Sequence, residues 1–231
     1  MKDVVNYSIV RDEAAFRIFI DWLPELQENE KYYLSLFARR KYSEVVTTDK
    51  ANLKRFATDK KRMLEKVRQL ECAEGTYIAK EVAVPAEALA LYISVNPRCA
   101  VKASFQTIIA LTESLQHDHQ DLNPHSEAMT QLHKSPSRKT FVVFDVDRKD
   151  DLSRTISVTR EIIGEAAPTS LETRGGVHVL INASLVDSKH KNWYPELKKQ
   201  IEPDQTGDLL IPVPGCCQAV SYTHLTLPTK A

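Results

Sequence analysis

The chain predicts a mixed α/β protein of the α+β kind, and three observations carry that expectation. An apolar run, Phe141-Val142-Val143-Phe144, ends in Asp145-Val146-Asp147 and reads as a buried strand reaching solvent. Residues 140–213 then alternate strand and helix patterns in the order β-α-β-β-α-β. Upstream, helical stripes and one apolar strand make up a smaller N-terminal αβ module.

In chain order, Ala14–Leu26 reads as an amphipathic helix through Phe16, Phe19, Ile20, Leu23 and Leu26. Residues 39–68 hold eleven Lys or Arg against four Asp or Glu. Leu53, Phe56, Met63, Leu64, Val67 and Leu70 give that stretch a helical apolar stripe. Its basic residues are then solvated faces or, in the functional reading, a phosphate-contacting surface. Arg98, at the end of the apolar stretch Ala88–Arg98, reads as a phosphate contact or a strand-end surface arginine. The Ser, Pro, Asn and Gln-rich stretch 116–139 reads as an exposed linker. His117, His119, His125 and His133 are too irregularly spaced there for a metal site. The expected division is 1–134 for the first module with its linker, 135–218 for the second, and 219–231 for a non-native tail.

Within the second module, residues 140–147 read as a strand and about 152–165 as a helix. Leu152, Ile156, Ile162 and Ile163 are its apolar members, with Asp150 or Asp151 as cap. Pro168 punctuates, Thr169–Thr173 fits a short strand, and Gly175-Gly176 fits a tight turn. Val177, Val179 and Ile181 share one face of the next strand, opposite His178, Leu180 and Asn182. A polar helix at about 188–200 and a last strand, Leu209–Val213, complete the series. This is the split βαβ order of ferredoxin-like and RNA-recognition-like folds. There the first strand lies between the third and fourth and antiparallel to both, with the helices on one face. Asp145 and Asp147, His178, and Asp204 or Asp208 then converge on one rim. Asp208 is preferred because it begins the final strand, whereas Asp204 lies in the turn before it.

A strand-end DxD, a small-x-His strand some thirty residues later and a third acid beyond it resemble the archaeo-eukaryotic primase superfamily. The nearest flavour is the primase-polymerases of bacterial mobile elements and phages, with the polymerase domains of end-joining ligases. Phe141–Asp147 matches the first motif, and Gly176-Val177-His178 within Thr173-Arg174-Gly175-Gly176-Val177-His178 the second. Asp204 or Asp208, ahead of Pro212-Val213-Pro214-Gly215, matches the third. Where the family more often has Ser-Gly, this chain has Thr173-Arg174.

The resemblance implies a nucleotidyltransferase that adds nucleotides to a primer, or starts a strand, on a single-stranded DNA template. Asp145, Asp147 and Asp208, or Asp204, would hold two Mg²⁺ or Mn²⁺ ions roughly 3.5–4 Å apart. His178, Arg174, Thr173 and Gly176 would receive the nucleoside triphosphate, and a replicative helicase is a further partner it admits. Two other readings compete. A strand ending in Asp-x-Asp also resembles the nucleophile strand of haloacid-dehalogenase-type phosphatases, but Arg148 follows here where Thr or Val is usual. The same fold could also serve as a non-catalytic nucleic-acid-binding module.

Composition is less specific. The 31 basic and 31 acidic residues cancel, so no global field draws the chain to nucleic acid. Cys72, Cys99, Cys216 and Cys217 show no CxxC or zinc spacing, which suits a reducing cytoplasm. Without a signal peptide or an apolar span, no membrane is expected. Ala219–Thr229 resembles, residue for residue, a reading frame through a common transposase sequencing adapter. The tail is therefore expected to lie detached from the sheet, with Tyr222 and His224 carrying no function.

Overall fold

A computed structural model describes residues 5–47, 49–116, 123–147, 152–165, 168–173, 175–218 and 224–226. It is mixed α/β, with helices on antiparallel sheets. Helix α1 (Glu13–Trp22) starts at Asp12, whose side chain accepts from the Ala15 amide. It stops one turn earlier than its apolar pattern because Pro24 pushes Leu23 into an extended conformation. Strand β1 (Glu30–Arg39) follows, then a 3₁₀ turn (Arg40–Tyr42), β2 (Lys50–Thr58) and α2 (Lys60–Arg68).

The expected helical stripe over residues 53–70 is thus half strand. Leu53 and Phe56 sit three apart and both pack on the core, as they would on a helix. The register of β1 and β2 slips between Leu36 and Phe37, and the extra residue of this bulge converts a period of two into three.

A short hairpin, β3 (Ile78–Ala79) and β4 (Val82–Ala83), leads to β5 (Leu89–Ser94) and β6 (Arg98–Cys99). Helices α3 (Ala100–Gln116) and α4 (Pro124–His133) come next. Residues 123–133 are therefore not an exposed linker. Asn123 caps α4 by accepting from the Ser126 amide, Pro124 takes the first turn, and Leu132 is buried. His117 and His119 lie outside the described residues.

The second sheet holds β7 (Phe141–Val146), β8 (Pro168–Glu172), β9 (Val177–Asn182), β10 (Gln205–Gly207) and β12 (His224–Thr226). Helices α5 (Leu152–Ile163) and α6 (Trp193–Ile201) connect them. Its strand order is β10-β7-β9-β8-β12, with β7 antiparallel to both neighbours. Val177, Val179 and Ile181 face the helices together with Phe144 and Val146. On α5 the buried stripe is Thr155, Thr159 and Ile163, spaced four apart, whereas Ile156, one of the expected apolar members, is half-buried. Thr159 can be buried because its hydroxyl donates to the Thr155 carbonyl one turn back, at 2.7 Å. The proposed caps Asp150 and Asp151 lie outside the described residues.

The expected last strand joins the other sheet. Strand β11 (Leu210–Pro212) pairs with β5, giving the order β11-β5-β1-β2, while the shorter β10 takes the place beside β7. Gly207, at φ +129°, makes the change of direction that lets the chain cross from one sheet to the other. Cys216 and Cys217 then bury in the first core, so residues 209–218 belong with the first module and the division at 134/135 fails for them. The tail expectation also fails in part, because His224–Thr226 pairs with the edge strand β8. Residues 219–223 and 227–231, Tyr222 among them, lie outside the described residues.

One core joins the modules. The back of the first sheet packs on α1 and α2, and Phe141, Val143, Leu171 and Leu180 enter the same cluster from the helix-free face of the second sheet. Trp22 packs against Phe141 with ring centroids 4.9 Å apart. Asp145 shares that helix-free face with Phe141 and Val143, two steps beyond the packed region. The acids therefore emerge where the module contact ends.

Candidate functional site

Strand β7 delivers Asp145 and Asp147 at its C-terminal end, and its two neighbours bring the rest. Asp145 lies opposite His178 on β9 and opposite Gln205 on β10. The residue before β10, Asp204, donates its amide to the Asp145 carbonyl and accepts the Asp147 amide on Oδ2, both at 2.9 Å. Burial first, then the charges of Asp147 and Asp204, together raise the Asp145 carboxyl to about 6, with Lys41 and Arg39 opposing the rise. Three acids thus crowd one rim.

The third of these is Asp204, not the preferred Asp208. Because β10 runs antiparallel to β7, with Gly207 opposite Val143, each later residue moves away from Asp145. Asp208 lies about three residues down the strand, roughly 10 Å from the pair. Its oxygens are engaged there: one accepts from Arg98 Nη1 at 2.5 Å and the other from Asn96 Nδ2 at 2.9 Å. Arg98 is 1% exposed, which removes it as a surface phosphate contact.

His178 is buried at 8% exposure, with Nδ1 3.4 Å from Asp145 Oδ1 but not aligned for a hydrogen bond. Burial, and secondarily Lys41, lower its pKa to about 4, so the imidazole is neutral at neutral pH and the contact is no ion pair. Thr173 is occupied with its own loop. Its Oγ1 accepts from the Gly175 and Gly176 amides at 3.3 and 3.2 Å, closing the β8–β9 turn. Gly176 is required by close approach, since a Cβ there would come within 2.0 Å of the Val146 carbonyl oxygen. Arg174 lies outside the described residues.

Residues that sequence reasoning placed elsewhere complete the rim. Lys41 Nζ and Asp147 Oδ1 both flank Gly175, at 4.0 and 3.3 Å from where its Cβ would be. Arg39 and Lys50 stand on the facing sheet around Tyr92, whose hydroxyl accepts from Arg39 Nη1 at 2.9 Å and feels the Asp145 charge. The alternation of Phe37 and Arg39 is the available signal, hidden by the helical pattern of the stretch that follows. A concavity of about 230 Å³ opens between α5 and α6, but on the opposite face of the sheet from these carboxylates, and has no part in the site.

The donor chemistry suits hard divalent cations, which prefer carboxylate oxygens and relieve their mutual repulsion. The oxygens do not converge on a point, however. Among the described residues no three His, Cys, Asp or Glu side chains are grouped closely enough to hold an ion. Nor, among them, is any helix long and apolar enough to cross a membrane. No protein-family model, curated protein or solved structure matches the chain.

Proposed function

We propose that this chain is a primase-polymerase-like nucleotidyltransferase, built on an RNA-recognition-like catalytic module and working on a single-stranded template. The observation that carries the reading is the crowding of Asp145, Asp147 and Asp204 at one strand end, facing Lys41 and Arg39 across the module junction. The β-α-β-β-α-β order, with β7 between β9 and β10, supports it.

In this reading Asp145, Asp147 and Asp204 would hold Mg²⁺ or Mn²⁺, which would supply positive charge to offset that building on the attacking and leaving oxygens. Asp145 must be ionised to take part, which its raised pKa resists below about pH 6. Neutral His178 adds no charge, and its burial against Asp145 favours orienting that carboxylate over reaching a phosphate. Lys41 and Arg39 offset the negative charge of an arriving triphosphate. The buried junction between the sheets holds the two halves in register.

The test is incubation with template, Mn²⁺ or Mg²⁺ and labelled nucleotides, with and without primer. Template-dependent extension with pyrophosphate release is expected, and lost in Asp145→Asn. Nucleic-acid binding without extension points to a non-catalytic module. Template-independent hydrolysis of a small phosphate ester, trapped as a modified Asp145, points to a phosphatase.

A further inference from the structure

We infer that the helix-free end of the first sheet's open face, built on Arg39 and Lys50 beside Tyr92, is a phosphate-binding surface. Its role beside the acids rests on the nucleotidyl-transfer reading, but the binding itself needs no metal.

Arg39 and Lys50 are direct partners in the β1–β2 ladder. Like charges placed directly opposite oppose pairing, so a sheet that keeps both has a use for the positive field. Among the described residues no carboxylate comes within ion-pair distance of either. Aromatic rings hold the two cations in place without neutralising them. Lys50 Nζ lies 4.1 Å from the Phe37 ring centroid and 5.1 Å from that of Tyr92. Arg39 lies 5.6 Å from the Tyr92 centroid, and its buried Nε has no hydrogen-bond partner. Burial, then Arg39, lower the Lys50 pKa, as expected of a cation lacking its anion. Lys41, near Gly175, continues the positive surface toward the acids.

A phosphoanion is the ligand chemistry that fits: a compact multiple charge, accepting from a guanidinium and an ammonium set side by side. Such anions come from two sources, a free triphosphate or the backbone of a single strand. The rival explanation, two cations merely packed on aromatics, makes the opposite forecast for a charge reversal.

Metal-free protein in EDTA is titrated with inorganic tripolyphosphate and with a 12-mer oligothymidylate bearing a 5′-hydroxyl. Lys50→Ala should weaken binding at least tenfold. Lys50→Glu should abolish it while raising the ligand-free Tm, because the introduced carboxylate would pair with Arg39. For the oligonucleotide, the slope of log K against log[salt] should become shallower by about 0.7 per cation removed. Dependence on Lys50 for the oligonucleotide identifies strand phosphates as the source; dependence for tripolyphosphate alone identifies the free triphosphate. Failure of the wild-type protein to bind either probe overturns the inference, as does affinity within twofold in both variants. Failure of the polymerase reading shows separately, as absent extension with anion binding intact.

Discussion

Asp145 and Asp208 are both strand-end carboxylates of the second module, yet they sit in opposite electrostatic states. Asp208 meets a buried arginine and an amide, so both of its oxygens are satisfied. Asp145 meets two further acids and a neutral histidine, and its pKa rises to about 6. The first arrangement is what a fold uses to tie elements together. The second costs stability, and such strained titratable groups are where functional sites cluster. That contrast separates junction from site more sharply than residue type can, because an aspartate near the end of a motif is chemically the same letter in both.

The largest effect should come from breaking the satisfied carboxylate. Asp208→Ala leaves the Arg98 guanidinium buried without its carboxylate and removes a partner of Asn96, whose side chain also pairs with both the amide and the carbonyl of Phe141. Removing one partner of a buried pair costs about 3–5 kcal/mol, and here it loosens the seam between the sheets. Urea denaturation should show that loss; a change below about 1 kcal/mol would mean that the pair does not hold the junction.

Neutralising the unsatisfied carboxylate should do the reverse. Asp145→Asn removes one of three crowded charges, so metal-free stability at pH 7 should rise by about 1 kcal/mol, discounted for partial solvent exposure. The same variant should lose at least tenfold in Mn²⁺ affinity by calorimetry. Asp204→Asn should follow it in metal binding, whereas Asp208→Asn, wherever it stays folded, should not. Equal Mn²⁺ affinity in wild type and Asp204→Asn would remove Asp204 from the site.

The sequence was most legible where pattern and topology agree. The faces of Val177–Asn182 follow from simple alternation, and the place of β9 beside β7 follows from the order of elements. The third acid was not legible, because Leu210-Ile211-Pro212 has the same apolar pattern whichever sheet it joins. Only the crossover at Gly207 assigns it to the first sheet and leaves Asp204 beside Asp147. The placement of the cations beside the acids was hidden for a related reason. The bulge at Leu53 disguised a strand as a helix, and the helical pattern gave no sign that Arg39 and Lys50 meet across a ladder. Asn123-Pro124 was a readable helix start overlooked among the polar residues around it.

The smallest effect is a pair of opposed pH slopes at the site itself. Asp145 has a folded pKa of about 6 against an ordinary 3.8. Between those values the unfolded chain has lost a proton that the folded chain keeps, so stability falls as pH rises through that window. His178 has a folded pKa of about 4 against an ordinary 6.5. Through its window the unfolded chain holds a proton that the folded chain refuses, so stability rises with pH. The two contributions overlap between roughly pH 4 and 6 and nearly cancel in the wild-type protein. Asp145→Asn removes the falling limb and should steepen the loss of stability on acidification. His178→Gln removes the rising limb and should make the protein more stable at pH 4.5 than at 6, relative to wild type. Urea midpoints measured across this range read each slope as a difference, so groups elsewhere in the chain drop out. Parallel profiles in all three proteins would mean that neither side chain is held in the crowded, buried pairing on which the site depends.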